Sequence, residues 1–213
     1  MAKRHLKKLQ NHYRQKGKEI KLLVASKNHS ALAIKTAYRA GQICFGENYL
    51  QEALQKQRDL IDLDIEWHFI GKVQSNKTSD IANNFSWVHG LERLKIARRL
   101  HEQRRQDLPP LNVLIQVKQR GENKAGIEPD DFQEFAEEIL GFQKLSLRGI
   151  MYFPPAGGNF EENREAYSNM IALTHNLPMA DTLSMGTSSD LEAAVAAGTT
   201  LVRLGTSIFG LRD

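Results

Sequence analysis

The sequence predicts an α/β fold, a single (β/α)8 TIM barrel with an additional N-terminal helix. Short apolar runs alternate with helical stretches along the chain, which indicates a parallel sheet. Eight such repeats fit into 213 residues, at the short end of the size range of this barrel. The alternative is an open doubly wound sheet. No Gly-x-Gly-x-x-Gly follows the first strand, so a dinucleotide-binding version of that sheet is disfavoured.

The first half of the chain alternates in the expected way. Residues 2–17 have the spacing of an amphipathic helix, which we expect to cover the gap left after the eighth strand. A short apolar run rich in branched residues, 21–27, predicts the first strand. Ser30 is the expected N-cap of the next helix and Gly41 its stop. The next strands are predicted at 42–45, 65–70 and 87–89. Helices are predicted at 49–59 and 91–106, and a short helix is predicted directly after the loop 72–77.

The second half continues the alternation. The fifth strand at 111–117 is continuously apolar, and Pro129 begins a helix that ends by Gly141. Ser188 or Ser189 is expected to cap an alanine-rich helix that ends at Gly198. The other elements are strands at 145–152, 182–185 and 200–204 and a helix at 161–176.

Composition fits one cytosolic domain spanning residues 1–213. Residues 1–21 carry eight Lys or Arg and one acid, so their net charge is +7 and that of the remaining chain is −3. Tyr13 is the single Phe, Tyr or Trp among these basic residues, too few for the stacking platform of a nucleic-acid site, so we expect a solvated helix and no nucleic-acid partner. No long apolar run or secretory segment predicts a membrane association. The single cysteine, Cys44, excludes an intrachain disulfide.

A lysine, Lys27, ends the first strand. In such barrels the functional site lies at the carboxyl ends of the strands. A lysine there is costly unless it has a partner or a function. If burial lowers its pKa, the neutral amine can attack an aldehyde and form a Schiff base. The alternative is a lysine that points into solvent.

Two loops near the end of the chain suggest a phosphate site. Barrels often hold a phosphate on the loops after strands seven and eight. Gly186-Thr187-Ser188 is expected to open a helix, where backbone N–H groups face an anion. Gly205-Thr206 offers the same in the next loop. Because a barrel closes, both loops lie beside Lys27, and together they predict an aldehyde ligand that carries a phosphate. The alternatives are a helix cap at Ser188 and a turn at Gly205.

Three further side chains could contact the ring of such a ligand. Arg203 cannot accept a proton, and facing a pyridine nitrogen it would weaken the ring as an electron sink. Its alternative is a structural ion pair. His68 either borders the ring or is a satisfied core histidine, and Asn48 either binds a phenolic oxygen or holds its own turn. His89 is a weaker candidate, and no cluster has the spacing of metal ligands.

These residues lie in segments that closely resemble the pyridoxal phosphate homeostasis proteins, a family related to the N-terminal barrel of alanine racemase. The resemblance extends over nearly the whole chain after residue 20. The matching segments are LLVASK at 22–27, FGENYLQE at 45–52, WHFIG at 67–71, QSNK at 74–77, NKAGI at 123–127, RGIM at 148–151, LSMG at 183–186 and VRLGTSIFG at 202–210.

The resemblance implies that Lys27 forms a Schiff base with pyridoxal 5′-phosphate (PLP), that Arg203 faces the pyridine nitrogen and that Asn48 lies near the ring. The two loops would bind the phosphate. Thr187 stands where the family usually has methionine, and His29 where a second lysine is common. The predicted ligand contacts are Lys27, Asn48, His68, Met185, Gly186, Thr187, Ser188, Arg203, Gly205 and Thr206, with no metal.

Two functions compete, a carrier that buffers or delivers PLP and a racemase-like enzyme. Racemisation needs an acid/base group on each face of the substrate carbon, and the resemblance implies that alanine racemase draws the second from an additional β domain. We expect no such domain here, which leaves the ligand open to water and favours the carrier. A Schiff-base aldolase is a third reading. A monomer or weak homodimer is expected, with PLP-dependent apoenzymes as candidate recipients.

Overall fold

Eight parallel strands close into a barrel in chain order, and the last strand pairs back with the first. The computed structural model describes residues 20–177 and 179–209, so the helix predicted at 2–17 lies outside the described residues. The predicted (β/α)8 barrel is confirmed. The strands are β1 Lys21–Ala25, β2 Cys44–Glu47, β3 Glu66–Phe69, β4 Trp87–Leu91, β5 Leu111–Gln116, β6 Leu145–Met151, β7 Thr182–Ser184 and β8 Leu201–Leu204.

Helices follow the strands and cover the outside of the barrel. They are α1 Ala31–Tyr38, α2 Leu50–Asp59, α3 Thr78–Asn84, α4 Leu94–Gln103, α5 Phe132–Leu140, α6 Phe160–Ala172, α7 Leu191–Ala197 and the short α8 Thr206–Phe209. Single 3₁₀ turns precede α3 and α5. Ser30 caps α1 as predicted, because its side chain accepts the N–H of Ala33. Among the described residues, no helix combines the length and apolarity that crossing a membrane requires.

The second strand lies two residues later than the sequence predicted. Gln42 is buried ahead of the strand, where its side-chain amide donates to the carbonyls of Leu22 and Cys44. The strand continues through Glu47, whose carbonyl accepts the N–H of Ile70 at 2.9 Å. Gly46 and Glu47 therefore belong to the barrel wall, beyond the predicted end of the strand at residue 45.

Two apolar layers hold the barrel together. The outward strand residues pack under the helices in one large cluster, to which Phe45, Val113 and Ile150 contribute without solvent exposure. Inside the barrel, Trp87 and two other residues form a small separate cluster. Polar side chains occupy much of the remaining interior, although branched apolar residues usually dominate there.

A bulge in β6 adjusts the wall next to β7. Val113 pairs with Leu147 but Leu114 pairs with Gly149, so Arg148 is the extra residue. Gly149 has a φ of +138°, which only glycine adopts readily, and a Cβ there would lie 2.1 Å from the carbonyl oxygen of Thr182. The bulge therefore requires glycine at this position.

We expect Gly149→Ala to lower the free energy of unfolding by about 3 kcal/mol or more, because the backbone strain and the clash add. Gly141→Ala is the matched control. Gly141 ends α5 with a φ of −71°, and an added Cβ would meet only ordinary contacts. Urea unfolding should show little change or a gain of up to about 1 kcal/mol for the control. Equal stabilities of the two variants would contradict this account of the bulge.

Candidate functional site

Lys27 lies just beyond the carboxyl end of β1. Strand pairing places Val24 opposite Leu204, so Lys27 and Gly205 follow neighbouring strands at the same edge of the barrel. The close approach is direct, since a Cβ on Gly205 would lie 3.2 Å from the carbonyl oxygen of Ala25. Lys27 is half-buried, and its amine forms no hydrogen bond or ion pair with the described residues. It thus differs from a lysine that serves a structural ion pair.

A buried ion network, the Lys56 clamp, fixes the chain on both sides of Lys27. The Lys56 amine donates to the carbonyl oxygen of Ser26 at 2.7 Å and to carboxylate oxygens of Glu47 at 2.7 Å and Glu52 at 2.6 Å. Glu52 also accepts the backbone N–H of Asn28 at 2.6 Å. Burial raises the pKa of Glu47, and hydrogen bonds from Lys56 and Ser26 oppose that rise. The clamp anchors Ser26 and Asn28 and leaves the lysine side chain between them unpaired.

Asn48 follows β2 at the same edge of the barrel. Its side-chain oxygen Oδ1 is buried and has no hydrogen-bond partner within the described residues. Its backbone lies against Gly71, where a Cβ would come within 2.2 Å of the Asn48 carbonyl oxygen. A buried amide oxygen without a partner is costly. A ligand donor would satisfy it.

A row of hydrogen-bonded side chains crosses the barrel interior. We call it the interior chain, and it comprises Glu66, His68, His89, Ser184 and Arg203. His68 Nε2 lies 2.9 Å from Glu66 Oε1, and His68 Nδ1 lies 2.8 Å from His89 Nε2. His89 Nδ1 lies 3.0 Å from Ser184 Oγ, which also accepts a bond from Arg203 Nη1 at 2.7 Å. The structure therefore connects five residues that are scattered along the sequence.

His68 is the member whose role the sequence left open between ligand contact and core histidine. Its side chain has no solvent exposure, both ring nitrogens have protein partners, and its ring stacks on Trp87 at 5.3 Å. Burial lowers the pKa of His68 against the opposing effect of Glu66. The hydrogen bond from His68 lowers the pKa of Glu66 to about 2. The structure favours the reading as a core histidine.

The side chain of Arg203 points into the barrel, an orientation that the hypothesis of a contact with a ligand ring requires. It is buried, and burial lowers its pKa to about 10. Its guanidinium donates to the backbone oxygens of Ser184 and Tyr152 and lies 4.2 Å from the Phe153 ring centroid. Among the described residues, no carboxylate pairs with it within ion-pair distance. The alternative of a structural ion pair is therefore not found in this part of the chain.

The loop after β7 differs from its prediction. Helix α7 begins at Leu191 after Asp190, and not directly after Gly186-Thr187-Ser188. The expected serine cap is wrong, because Asp190 folds the loop instead. Its Oδ1 accepts the N–H of Thr187 at 2.5 Å and the Thr187 hydroxyl at 2.9 Å, and its Oδ2 accepts the Tyr167 hydroxyl. Ser188 is exposed.

The remaining predicted contacts lie on β7, β8 and the turns that follow. Met185 is fully buried beneath the loop, and Gly186 packs on Ala194 of α7 so closely that a Cβ would lie 2.7 Å from the alanine Cβ. The carbonyl of Gly186 accepts the N–H of Arg203 at 3.0 Å, which joins the loop after β7 to strand β8. Gly205 precedes α8, and Thr206 begins it. Both loops therefore meet at the edge that carries Lys27.

Sequence reasoning missed several residues around this site. Lys56, Glu52 and Glu66 read as ordinary surface charges, yet Lys56 is buried and Glu66 joins the interior chain. The thiol of Cys44 donates to Glu66 at 3.2 Å, and burial raises its pKa to about 12. Cys44, Glu66 and His68 converge in space without any metal-ligand spacing in the sequence. Their hydrogen bonds with one another account for this arrangement.

Fold and site together define a closed (β/α)8 barrel with an unpaired lysine after its first strand and two glycine loops beside it. The sequence model of the family described as "Alanine racemase, N-terminal domain" matches residues 2–213. The chain is 50% identical over 194 residues to the pyridoxal phosphate homeostasis protein of Pseudomonas aeruginosa, covering 90% of this chain and 84% of that protein. The Escherichia coli K12 protein of the same name is 47% identical over 203 residues, covering 92% and 87%. The chain belongs to the pyridoxal phosphate homeostasis protein family.

Solved structures support the same assignment. PipY of Synechococcus elongatus, in a structure described as having PLP bound, superposes with a TM-score of 0.89 at 34% identity and covers 99% of this chain and 100% of its own. Alanine racemase of Clostridium difficile 630 superposes with a TM-score of 0.78 at 14% identity, over all of this chain and 57% of the racemase. The second likeness shows the shared barrel fold alone.

The Lys56 clamp gives a stability prediction. We expect Lys56→Met to lower the free energy of unfolding by about 3–5 kcal/mol, because Glu47 is then left buried without its cation. Adding Glu47→Gln should restore part of the loss, since the uncompensated charge disappears. Urea unfolding of both variants checks this. The exposed pair Lys35 and Asp62 supplies the control, and Lys35→Met should cost no more than about 1 kcal/mol.

The buried histidines give a pH prediction. Burial lowers the pKa of His89 well below its usual value, so the unfolded chain binds a proton there that the folded chain does not. Stability should therefore fall as the pH falls below about 6.5, the usual histidine pKa. His89→Gln removes one such proton and should reduce the slope by up to about 1.4 kcal/mol per pH unit. Denaturant unfolding at several pH values measures both slopes, and equal slopes would contradict the prediction.

Proposed function

We propose that this chain, as one domain, binds PLP through Lys27 and holds it without sustained turnover, for buffering or delivery in the cytosol. The PLP-bound PipY structure carries this proposal, because it superposes over almost the entire chain. The relatives named as pyridoxal phosphate homeostasis proteins support the same role. PLP-dependent apoenzymes are the proposed recipients of the cofactor.

Lys27 is suited to hold an aldehyde. The Lys56 clamp fixes the backbone on both sides, so the unpaired amine projects from a rigid base. Lys27 would supply the nitrogen of a C=N bond to the aldehyde carbon of PLP, and the aldehyde oxygen would leave as water. Orientation of this kind lowers the entropic cost of forming the bond. Strand pairing supports this role, because Lys27 follows β1 at the edge where the turn after β8 also lies.

The other proposed contacts follow from what each residue offers. Asn48 Oδ1 lacks a partner and would accept a hydrogen bond from the hydroxyl of the ligand. Gly186, Ser188, Gly205 and Thr206 would hold the phosphate on the two loops. Thr187 contributes less than the sequence suggested, because Asp190 already accepts from both its amide and its hydroxyl. Met185 closes the floor of the loop.

Arg203 supports binding over turnover. PLP supplies an electron sink when its ring nitrogen is protonated. A guanidinium donates hydrogen bonds and does not accept a proton, so Arg203, if it faces that nitrogen, would favour the unprotonated ring. His68 would act behind Arg203 and not on the ligand, since both its ring nitrogens are occupied. The proposed site thus retains the ligand and restrains its chemistry.

We expect the purified protein incubated with PLP to be yellow, and borohydride reduction to fix PLP on Lys27. Lys27→Ala should abolish the covalent adduct in intact-mass and peptide analysis. Lys118→Ala is the matched control, because Lys118 follows β5 but its amine is paired with Glu128 at 2.9 Å. An adduct on Lys118 or an unchanged adduct in Lys27→Ala would contradict the proposed site. Sustained racemisation of an amino acid would contradict the carrier role.

A further inference from the structure

Arg203 is a buried cation whose hydrogen-bond partners within the described residues are all neutral. The Asp190 carboxylate, just before α7, acts on it through space without forming an ion pair with it. It donates to two backbone carbonyls and to the Ser184 hydroxyl. A buried charge is costly unless an opposite charge or oriented dipoles compensate it. The nearest carboxylate along its hydrogen bonds is Glu66, at the far end of the interior chain. Arg203 and Glu66 are therefore the two charged ends of the interior chain, and three neutral side chains connect them.

The two ends fix the direction of every hydrogen bond between them. A guanidinium only donates, and an ionised carboxylate only accepts. His68 must therefore present Nε2–H to Glu66, which leaves the Nδ1 of a neutral ring as an acceptor. His89 must then donate from Nε2 and accept at Nδ1, so the Ser184 hydroxyl must donate to His89. All four links have donor–acceptor distances between 2.7 and 3.0 Å.

The surroundings favour two neutral rings. Burial lowers the pKa of His68, Glu66 on the same strand opposes this shift, and the charge of Lys21 on β1 adds to it. Arg203 and His68 act on His89, and burial and these neighbours lower its pKa as well. The Cys44 thiol donates to Glu66 and so supports the ionised carboxylate. The charges at the ends and the neutral rings are mutually consistent.

We propose that Glu66, His68, His89 and Ser184 form a one-directional hydrogen-bonded relay that compensates the charge of Arg203 and positions its guanidinium toward the ligand. In this relay, the Ser184 hydroxyl donates its hydrogen to His89 and presents a lone pair to Arg203. Each following dipole has the same orientation, with the Glu66 carboxylate at the end. The four residues are positioning residues that act through Arg203. The positioning part rests on the proposed function, whereas the relay itself does not.

The direction of the relay is testable in the ligand-free protein. ¹⁵N NMR of the imidazole nitrogens should show His68 and His89 as neutral Nε2–H tautomers at neutral pH, because the relay permits no other neutral arrangement. An Nδ1–H tautomer at His89, or a cationic His68, would overturn the relay. This measurement needs no PLP, so its outcome is separate from that of the proposed function.

The coupling to the ligand is tested with Glu66→Gln, which removes the charge and keeps the shape. PLP should bind about tenfold more weakly, and the absorption maximum of the bound ligand should shift, because Arg203 is held less firmly. Asp181→Asn is the matched control. Asp181 is a carboxylate just before β7 that pairs with Arg148 outside the relay. The control should leave affinity and spectrum unchanged.

The outcomes separate the two proposals. Wild-type affinity and spectrum in Glu66→Gln, with the expected tautomers, would overturn the positioning role. Failure of the wild-type protein to bind PLP would overturn the proposed function and with it the positioning role, while the tautomers still decide the relay. If Glu66→Gln does not fold, Ser184→Ala breaks the relay next to Arg203 with a small change in volume. It should weaken PLP binding and shift the spectrum in the same direction.

Discussion

Closure of the barrel by the pairing of β8 with β1 is the constraint on which the site depends. Lys27 and Gly205 stand at opposite ends of the sequence, and only this pairing brings them to one edge. The approach is close enough that Gly205 packs against the carbonyl of Ala25. The same closure directs the side chain of Arg203 into an interior that strands β3, β4 and β7 also line. Both the surface site and the polar interior therefore follow from one set of backbone hydrogen bonds.

Two buried networks of charged side chains lie near this edge, and the cost of burying their charges is offset differently in each. Outside the barrel wall, Lys56 meets two carboxylates and a backbone carbonyl directly. Inside it, the hydrogen-bond acceptors of Arg203 among the described residues are neutral, and intervening side chains link it to the carboxylate of Glu66. The first system fixes the backbone around Lys27, whereas the second fixes a side chain behind the site. Polar contacts therefore hold both the backbone around Lys27 and the guanidinium of Arg203, although apolar residues surround them.

The sequence predicted the fold well because the fold rests on local patterns. Apolar runs, Ser30 and the glycines after helices mark the elements without reference to distant residues. Lys27, Arg203 and the two loops could be predicted to lie near one another because strand ends converge in any such barrel. The interior chain was not found, since it joins residues of four strands by side-chain contacts that have no sequence spacing. Asp190 stands in place of the expected serine cap because its carboxylate accepts hydrogen bonds from both the amide and the hydroxyl of Thr187. Glu47 lies in β2 because its ion pair with Lys56 compensates the burial of its charge.

The filled barrel interior limits the route by which a ligand bound at the carboxyl edge could be exchanged. Trp87, Leu114 and Met151 occupy the barrel beside the interior chain, and Arg148 and Lys21 lie over the indole. Within the part of the chain that the structure describes, these side chains fill the barrel axis, so a molecule bound at the carboxyl edge would enter and leave from that same side. A recipient protein docked on that rim would obstruct reloading for as long as it stayed. Handover and replenishment would then alternate in time.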